Sequence, residues 1–469
     1  MERTKRGCLK RAIATVLGVV ATLALAHGAI AWGTRVQPPR IVLPPATSSH
    51  AWTRVRAGLR EVYLEGSAVA IGEAHGRLLS REMLDVERQL WSDFEKYVPL
   101  WIARVGIEDY SRVRYRNVDR SIPDSRRREL AAQSLRLLPD RFAAHFPTYQ
   151  RQLFLHALYD IALSLEHSPL IGCTSLAIAP AKTANAHVLA ARAFDFEGGD
   201  IFDREKAVFF VREDNAIPFA SVAWPGLVGV VTGMNAEGVF LAVHGGRAGQ
   251  SSSEGIPVTF AAREVLEHAH DTVEAVAMLR AQSVMISHIV FVADASGRFA
   301  DVERAPGIAA YVRASTESMA VTNHFEGPMA TDPKNLRVRE TTSTISRRLR
   351  ADALLQALGP RSASPEVALA MLRDHGCIDK AGEKEGCALG DRRSIDAFIA
   401  AHGVVADLTD RILWVSAGPH LSGEFVRLDV RDIFASPHAA WSEAQPEVMS
   451  AEHLDSPAQR PHDEVFTTP

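Results

Sequence analysis

The stretch Pro169-Leu170-Ile171-Gly172-Cys173-Thr174-Ser175-Leu176-Ala177-Ile178-Ala179 is where the chain changes its period. Upstream, Leu79, Met83, Val86, Leu90, Phe94 and Tyr97 recur at three- and four-residue steps, and the same spacing returns between Leu130 and Leu163. That is the pattern of helices with one buried face. Downstream come short β-prone runs bounded by turn residues: Thr174–Ala179, Val188–Phe196, Ala207–Glu213, Phe219–Ala223, Val228–Gly233 and Val239–Val243. Runs of this length and spacing predict an antiparallel meander.

Working outward, residues 50–172 read as mainly helical, starting with Ala51–Tyr63 and a short apolar run, Ala68–Ile71, that Gly72 and Gly76 interrupt. On the other side, helices are expected at Thr259–Glu267 and Asp271–Arg280, where Asp271 and Glu274 have capping-box spacing. A hairpin around Asp294-Ala295-Ser296-Gly297 and strands at Ala309–Arg313 and Met319–Thr322 follow. Helices at Arg339–Leu358 and Pro365–Arg373 lead to closing strands at Gly403–Leu408, Arg411–Ser416 and Glu424–Val430. Blocks of strands alternating with blocks of helices imply an α+β layered domain over residues 173–435.

The flanks differ in composition. Residues 1–34 carry Arg3, Lys5, Arg6, Lys10 and Arg11 before the apolar run Ala12–Trp32, the layout of a signal peptide or of an uncleaved membrane anchor. Either puts everything after Trp32 outside the cytoplasm, in the periplasm or the extracellular space. Residues 35–49 read as a Pro- and Ser-bearing linker, and residues 436–469 as a disordered tail. At 47% hydrophobic and 23% charged, the 469-residue chain can bury a large core, and a net charge of −4 gives no general pull on nucleic acid.

Four cysteines, Cys8, Cys173, Cys377 and Cys387, narrow the chemistry. Cys377 and Cys387 can close a disulfide around a turn-rich loop, which leaves Cys173 as the unpaired thiol of the exported region. It is either reactive or a buried inert hydrophobe. Gly-Lys-Ser/Thr phosphate loops, His-Glu-x-x-His, Cys-x-x-Cys and Gly-x-Ser-x-Gly are absent, so no metal or cofactor is implied. His268 and His270 lie two apart at a helix end and point in different directions, an arrangement unsuited to metal binding. If the chain were cut between Gly172 and Cys173, the new α-amine, with a pKa of about 7.7–8.0, would lie beside its own thiol and could act as its base.

Gly172-Cys173-Thr174-Ser175, Ala191-Arg192-Ala193-Phe194-Asp195-Phe196, Gly233-Met234-Asn235-Ala236-Glu237-Gly238 and Thr322-Asn323-His324-Phe325 together resemble the acyl-coenzyme A:6-aminopenicillanate acyltransferase family of N-terminal-nucleophile hydrolases. More distantly they resemble choloylglycine hydrolase and acid ceramidase. Ile71-Gly72-Glu73-Ala74-His75-Gly76 is similar to that family's prosegment. The resemblance implies an αββα sandwich behind a mainly helical prosegment-like region, autoproteolysis between Gly172 and Cys173, and attack by Cys173 on a small-molecule N-acyl amide or acyl thioester. It assigns Asp195 to the α-amine, Arg192 to the thiolate and Asn323 to the oxyanion. Where relatives carry a further asparagine this chain reads Val243-His244-Gly245-Gly246, so either His244 or a backbone N–H donates to the oxyanion, or that part of the site is altered. Arg347, Arg348 and Arg350 compete for a place at the pocket.

Two rival expectations stand beside this one. The missing asparagine at His244-Gly245 also fits a catalytically silent binding domain that kept the fold and lost the pocket, and Arg192 and Asp195 by themselves fit an ordinary strand-end ion pair. A papain-like hydrolase would instead pair Cys173 with His324 or His402.

Overall fold

The computed structural model describes residues 2–45, 50–164, 171–196, 199–437 and 445–452. Helix α1 (Glu2–Gly33) precedes strands β1 (Ala51–Arg56) and β2 (Leu59–Gly66) and helices α2 (Ala68–Tyr97), α3 (Trp101–Arg114), α4 (Asp124–Leu135), α5 (Thr148–His156) and α6 (Leu158–Ser164). Strands β3 (Ile171–Ile178) and β4 (Leu189–Phe196), the short α7 (Ile201–Arg204) and strands β5 (Ala207–Glu213), β6 (Phe219–Ala223), β7 (Thr232–Asn235) and β8 (Phe240–Gly245) follow. Next come α8 (Val258–His268), α9 (Thr272–Ala281), β9 (His288–Ala293), β10 (Phe299–Ala305), β11 (Ile308–Ser315) and β12 (Met319–Val321). Then α10 (Pro333–Thr341), α11 (Thr344–Ala357), α12 (Pro365–Leu372), β13 (Cys377–Ile378), β14 (Lys384–Glu385), β15 (Ala400–Asp407), β16 (Ile412–Ser416), β17 (Phe425–Asp429), α13 (Val430–Ala435) and β18 (Val448–Met449) complete the described chain.

Period-2 alternation sorts the side chains between layers. On β5, Val208 and Phe210 enter a core shared with Ala177, Val404, Leu413 and Val426 of the other sheet, while Phe209 and Val211 meet Ile71, Leu79 and Val265 of α2 and α8. On β4, Ala190 faces the central core and Leu189, Ala191 and Ala193 pack against Leu355, Leu369 and Leu372 of α11 and α12. The result is a nine-stranded sheet (β1-β2-β5-β6-β7-β8-β9-β10-β11) on a seven-stranded one (β12-β3-β4-β15-β16-β17-β18), with helices outside both. This is the four-layer αββα, α+β arrangement that the resemblance implies.

Four sequence expectations are corrected. Ala51–Tyr63 is not helix: β1 and β2 form a hairpin, and β2 pairs in parallel with β5, so the segment before Cys173 supplies two strands of the larger sheet. Gly72 and Gly76 do not break a helix; α2 runs through both. A Cβ on Gly72 would lie 2.0 Å from the Glu129 carbonyl oxygen and one on Gly76 2.9 Å from that of Gln133, so the glycines let α4 pack backbone to backbone against α2. Finally, the expected disordered tail includes an ordered piece: β18 pairs with β17, and Glu452 bonds His375 at 3.0 Å. Residues 438–444 and 453–469 lie outside the described residues. Arg339–Leu358 is two helices, broken at Thr342 and Ser343.

Candidate active site

Cys173 sits near the start of β3 with its side chain on the inner face, where the two sheets meet. Antiparallel pairing sets Cys173 opposite Phe194, Ser175 opposite Arg192 and Gly172 opposite Asp195. Alternation puts Arg192 on the inner face with the thiol, and Asp195 on the outer face beside Gly172. From the far sheet β8 brings Val243 and His244, and within the same sheet the turn after β12, the neighbour of β3, brings Asn323. Residues far apart in sequence thus converge because each lies at the same end of its strand.

The contacts are specific. Arg192 Nη2 donates to Cys173 Sγ at 3.3 Å and to the Val243 carbonyl, and the sulfur lies 3.9 Å from that same carbonyl oxygen. Asn323 Oδ1 accepts from the Cys173 backbone N–H at 2.7 Å, while its Nδ2 donates to the Gly245 carbonyl at 3.0 Å. Arg347 answers the choice among three arginines: it donates to the Cys173 carbonyl, to Thr174 Oγ1 at 3.0 Å and to Asn323 Oδ1 at 2.8 Å. Arg348 pairs instead with Glu326 at 2.7 Å and Asp352 at 2.9 Å, and Arg350 with Asp374 at 2.7 Å.

Electrostatics are set by burial opposed by nearby guanidinium groups. Burial pushes the Cys173 thiol up, against the pull of Arg192 and Arg347, with Asp195 adding to the rise. Asp195 is likewise pushed up by burial and opposed chiefly by Arg347. Its Oδ1 is buried with no hydrogen-bond partner, as are Arg192 Nε and Nη1. Such orphaned polar atoms are costly and call for an explanation.

The expected residues do not all converge on the sulfur. His244 is fully buried, its Nε2 bonds Ser175 Oγ at 2.8 Å, and burial holds it far below the usual histidine range, so it is a neutral ring placed on Ser175, not on Cys173. The histidines of the papain-like alternative are also elsewhere: His324 bonds Thr344 Oγ1 at 3.0 Å, and His402 bonds Thr232 Oγ1 at 2.9 Å and stacks on Phe194. Cys377 and Cys387 form a disulfide, leaving Cys173 free. Among the described residues, the groups with metal-ligand spacing are His187/Asp407/Asp410, His375/Asp396/Glu452 and the disulfide pair with Asp391, and none includes Cys173.

Sequence reasoning did not single out the covering of the thiol. Cys173 is 0% exposed, enclosed by Val86, Phe194, Phe202, Trp224, Val231 and Ala401, with Leu90 and Tyr159 against the same cluster. Val86, Leu90 and Tyr159 all precede the expected cut, so in the uncut chain the helical region closes the site. The aromatic run Phe194-Asp195-Phe196 was the one sequence signal for this lining.

The site and layers define an α+β sandwich with one cysteine where its two sheets meet. Residues 184–380 match the family model described as acyl-coenzyme A:6-aminopenicillanic acid acyl-transferase, the family that the motif set resembles. No curated protein matches the chain significantly. Among solved structures it is similar to an N-acylethanolamine-hydrolyzing acid amidase ortholog from Caenorhabditis elegans, at 14% identity and a TM-score of 0.37 over 50% of this chain and 93% of that one. It is also similar to penicillin V acylase from Agrobacterium tumefaciens (19%, TM-score 0.35, 52% and 82%) and to a mutant conjugated bile acid hydrolase from Clostridium perfringens (12%, 0.36, 61% and 98%).

Proposed function

We propose that the chain is an exported cysteine N-terminal-nucleophile hydrolase or acyltransferase acting on linear amide or thioester bonds, activated by autoproteolysis between Gly172 and Cys173. The observation that carries this reading is the grip on residue 173 from three sides: Arg192 on its sulfur at 3.3 Å, Asn323 on its nitrogen at 2.7 Å and Arg347 on its carbonyl. Export rests on α1, whose segment Ile13–Gly33 is long and apolar enough to cross a membrane.

The buried thiol suits an intramolecular first step, since attack on its own preceding carbonyl needs no substrate access. Sγ bonds the Gly172 carbonyl carbon, the Gly172–Cys173 C–N bond breaks, and the thiol proton goes to the departing nitrogen; water then hydrolyses the thioester. The freed α-amine gives Asp195 Oδ1 the hydrogen-bond donor it lacks and, when neutral, takes the thiol proton in each later turnover. Sγ then attacks the substrate carbonyl, Arg192 favours its anionic form, and the leaving amine departs with the proton. Water or a second amine resolves the acyl-enzyme. Asn323 Nδ2 is the candidate oxyanion donor once it leaves the Gly245 carbonyl.

Intact-mass measurement of the purified protein should give two chains, the second starting at Cys173, and Cys173→Ala should give one chain with no turnover of an N-acyl amide panel. A single uncut chain with full activity overturns the reading. The complete enclosure of Cys173 favours a second one, a catalytically silent domain on the same fold. An electrophilic β-lactone probe decides: labelling of Cys173 no faster than that of a denatured thiol supports the silent domain.

A further inference from the structure

Helix α3 is built inside out. Its five charged residues are all tied to other parts of the chain, although a surface helix ordinarily turns its charged side outward. Glu108 and Arg112 are buried; Glu108 bonds His145 Nδ1 at 2.9 Å, and the Arg112 guanidinium lies 4.2 Å over the Phe146 ring. Arg104 donates to the Val98 carbonyl at 3.0 Å, Arg114 to Ser251 at 3.0 Å, and Asp109 bonds His27 of α1 at 3.0 Å. The side left facing outward is apolar: Trp101 is 67% exposed, Ile102 53% and Tyr110 60%, continued by Leu100 at 67%. In water the exposed apolar side gains nothing; against hydrocarbon it does, and the charges tied inward leave none to be desolvated there.

The place of α3 says what covers that face. It touches α1 at His27, and α1 stands clear of the protein from Ile13 to Ala26. At 1.5 Å per residue, Arg11 to His27 spans only about 24 Å, short of a hydrocarbon core of about 30 Å. A helix anchored there can cross only if the domain sits low enough for α3 to enter the interface by several ångströms. Trp101 and Tyr110 are the residue types that favour that depth.

We propose that the exposed face of α3, with Leu100 before it, lies in the interface of the lipid bilayer that α1 crosses, so that the domain rests on the membrane rather than swinging above it. The proposal rests on reading α1 as an uncleaved anchor, and its test separates the two. The full chain, with Cys8→Ser and Cys173→Ala, is reconstituted in phosphatidylcholine–phosphatidylglycerol vesicles with a nitroxide at Ile102→Cys, Tyr110→Cys, Leu17→Cys or, as a solvent control, Arg128→Cys. Oxygen should reach the labels at 102 and 110 about fivefold more readily than a water-soluble nickel complex does, with the order reversed at 128, the signature of insertion by roughly 5–10 Å. Nickel access at 102 and 110 equal to that at 128 overturns the docking. So does exclusion of both reagents there, which means that protein, a second copy or another partner, covers the face. The label at 17 reports on the anchor alone: in lipid while 102 is in water, the anchor stands and the docking falls; in water while 102 and 110 are in lipid, the docking stands without the anchor.

Discussion

Asp195 stands across the β3–β4 pair from Gly172, its Oδ2 3.0 Å from where a Cβ on that glycine would lie. A Cβ there would be crowded, so a branched side chain would push this carboxylate away from the peptide link that the proposed cleavage breaks. Gly172→Val should therefore displace Asp195 and slow formation of the second chain by at least about tenfold, since a misplacement of about 1 Å can cost 100-fold in rate. The fraction cleaved after a fixed time, read by denaturing electrophoresis, checks this; wild-type processing by Gly172→Val would separate Asp195 from the cleavage step.

Arg347 and Arg348 are neighbours in sequence with opposite assignments, which gives a paired test. Arg347 holds the Cys173 carbonyl, Thr174 and Asn323 together through both terminal nitrogens, and a lysine ammonium cannot reproduce that fork. Arg347→Lys should lower kcat/KM by about 10–100-fold, the loss expected when a charge-assisted bond worth ~1.5–3 kcal/mol is removed from the reacting residue. Arg348→Lys alters ion pairs with Glu326 and Asp352, away from Cys173, and should stay within about threefold of wild type. Steady-state kinetics on one N-acyl amide substrate compares the two.

The nucleophile candidate was legible because cysteine is scarce, whereas Arg192 and Asp195 were named only through the family resemblance, since residues three apart on a strand face opposite sides and their spacing alone suggests an ordinary ion pair. The assignment among Arg347, Arg348 and Arg350 was not. It depends on the rotation of α11, set by the break at Thr342 and Ser343, where a single helix over Arg339–Leu358 was expected. The β1–β2 hairpin was missed because its inward pattern is polar: Glu61 is 0% exposed yet satisfied by Arg54 at 2.6 Å and Arg56 at 2.7 Å, so apolar alternation is interrupted where it would have signalled a strand. Gly72 and Gly76 look the same in sequence whether they end a helix or admit another, and only the presence of α4 decides. His244 lies at its predicted strand end, but its reach is fixed by the gap between the sheets, so Ser175 rather than Cys173 receives it.

His75 ties the segment before Cys173 to the sheet domain, its Nε2 accepting from the Gly226 N–H at 2.9 Å. Burial lowers its pKa from 6.5 to about 3, with help from His156 and Arg263. A base with a depressed folded pKa binds its proton in the unfolded chain first, so stability is lost as pH falls below about 6.5 and the loss grows until about pH 3. At pH 5 this amounts to about 2 kcal/mol. His75→Gln keeps an acceptor for Gly226 and removes the titration. Its stability relative to wild type should therefore improve by about 2 kcal/mol between pH 8 and pH 5 in urea unfolding. A pH-independent difference would mean that His75 matters by shape alone.

Arg263 joins the segment before the proposed cut to the domain after it. Fully buried, it donates to Glu129 of α4 at 2.9 Å, Glu213 of β5 at 3.1 Å, Glu267 of α8 at 2.8 Å and the Val228 carbonyl at 2.7 Å. Arg126 of α4 is the second cation, bonding Glu129 and Glu213. Three carboxylates share two guanidinium groups, and burial already pushes Glu213 up to about 7. Arg263→Met keeps most of the volume but leaves three buried carboxylates to Arg126, and should cost about 3–5 kcal/mol at neutral pH. The sign of the pH dependence tests the cause. Without Arg263 the folded-state carboxylate pKa values rise further, so the variant's deficit should shrink as pH falls from 8 to 5.5 and those groups take up protons. Urea unfolding of wild type and variant at both values measures it. A deficit of equal size at pH 8 and 5.5 would show that Arg263 acts through packing against Phe219, whose ring centroid lies 5.5 Å from the guanidinium, rather than through charge.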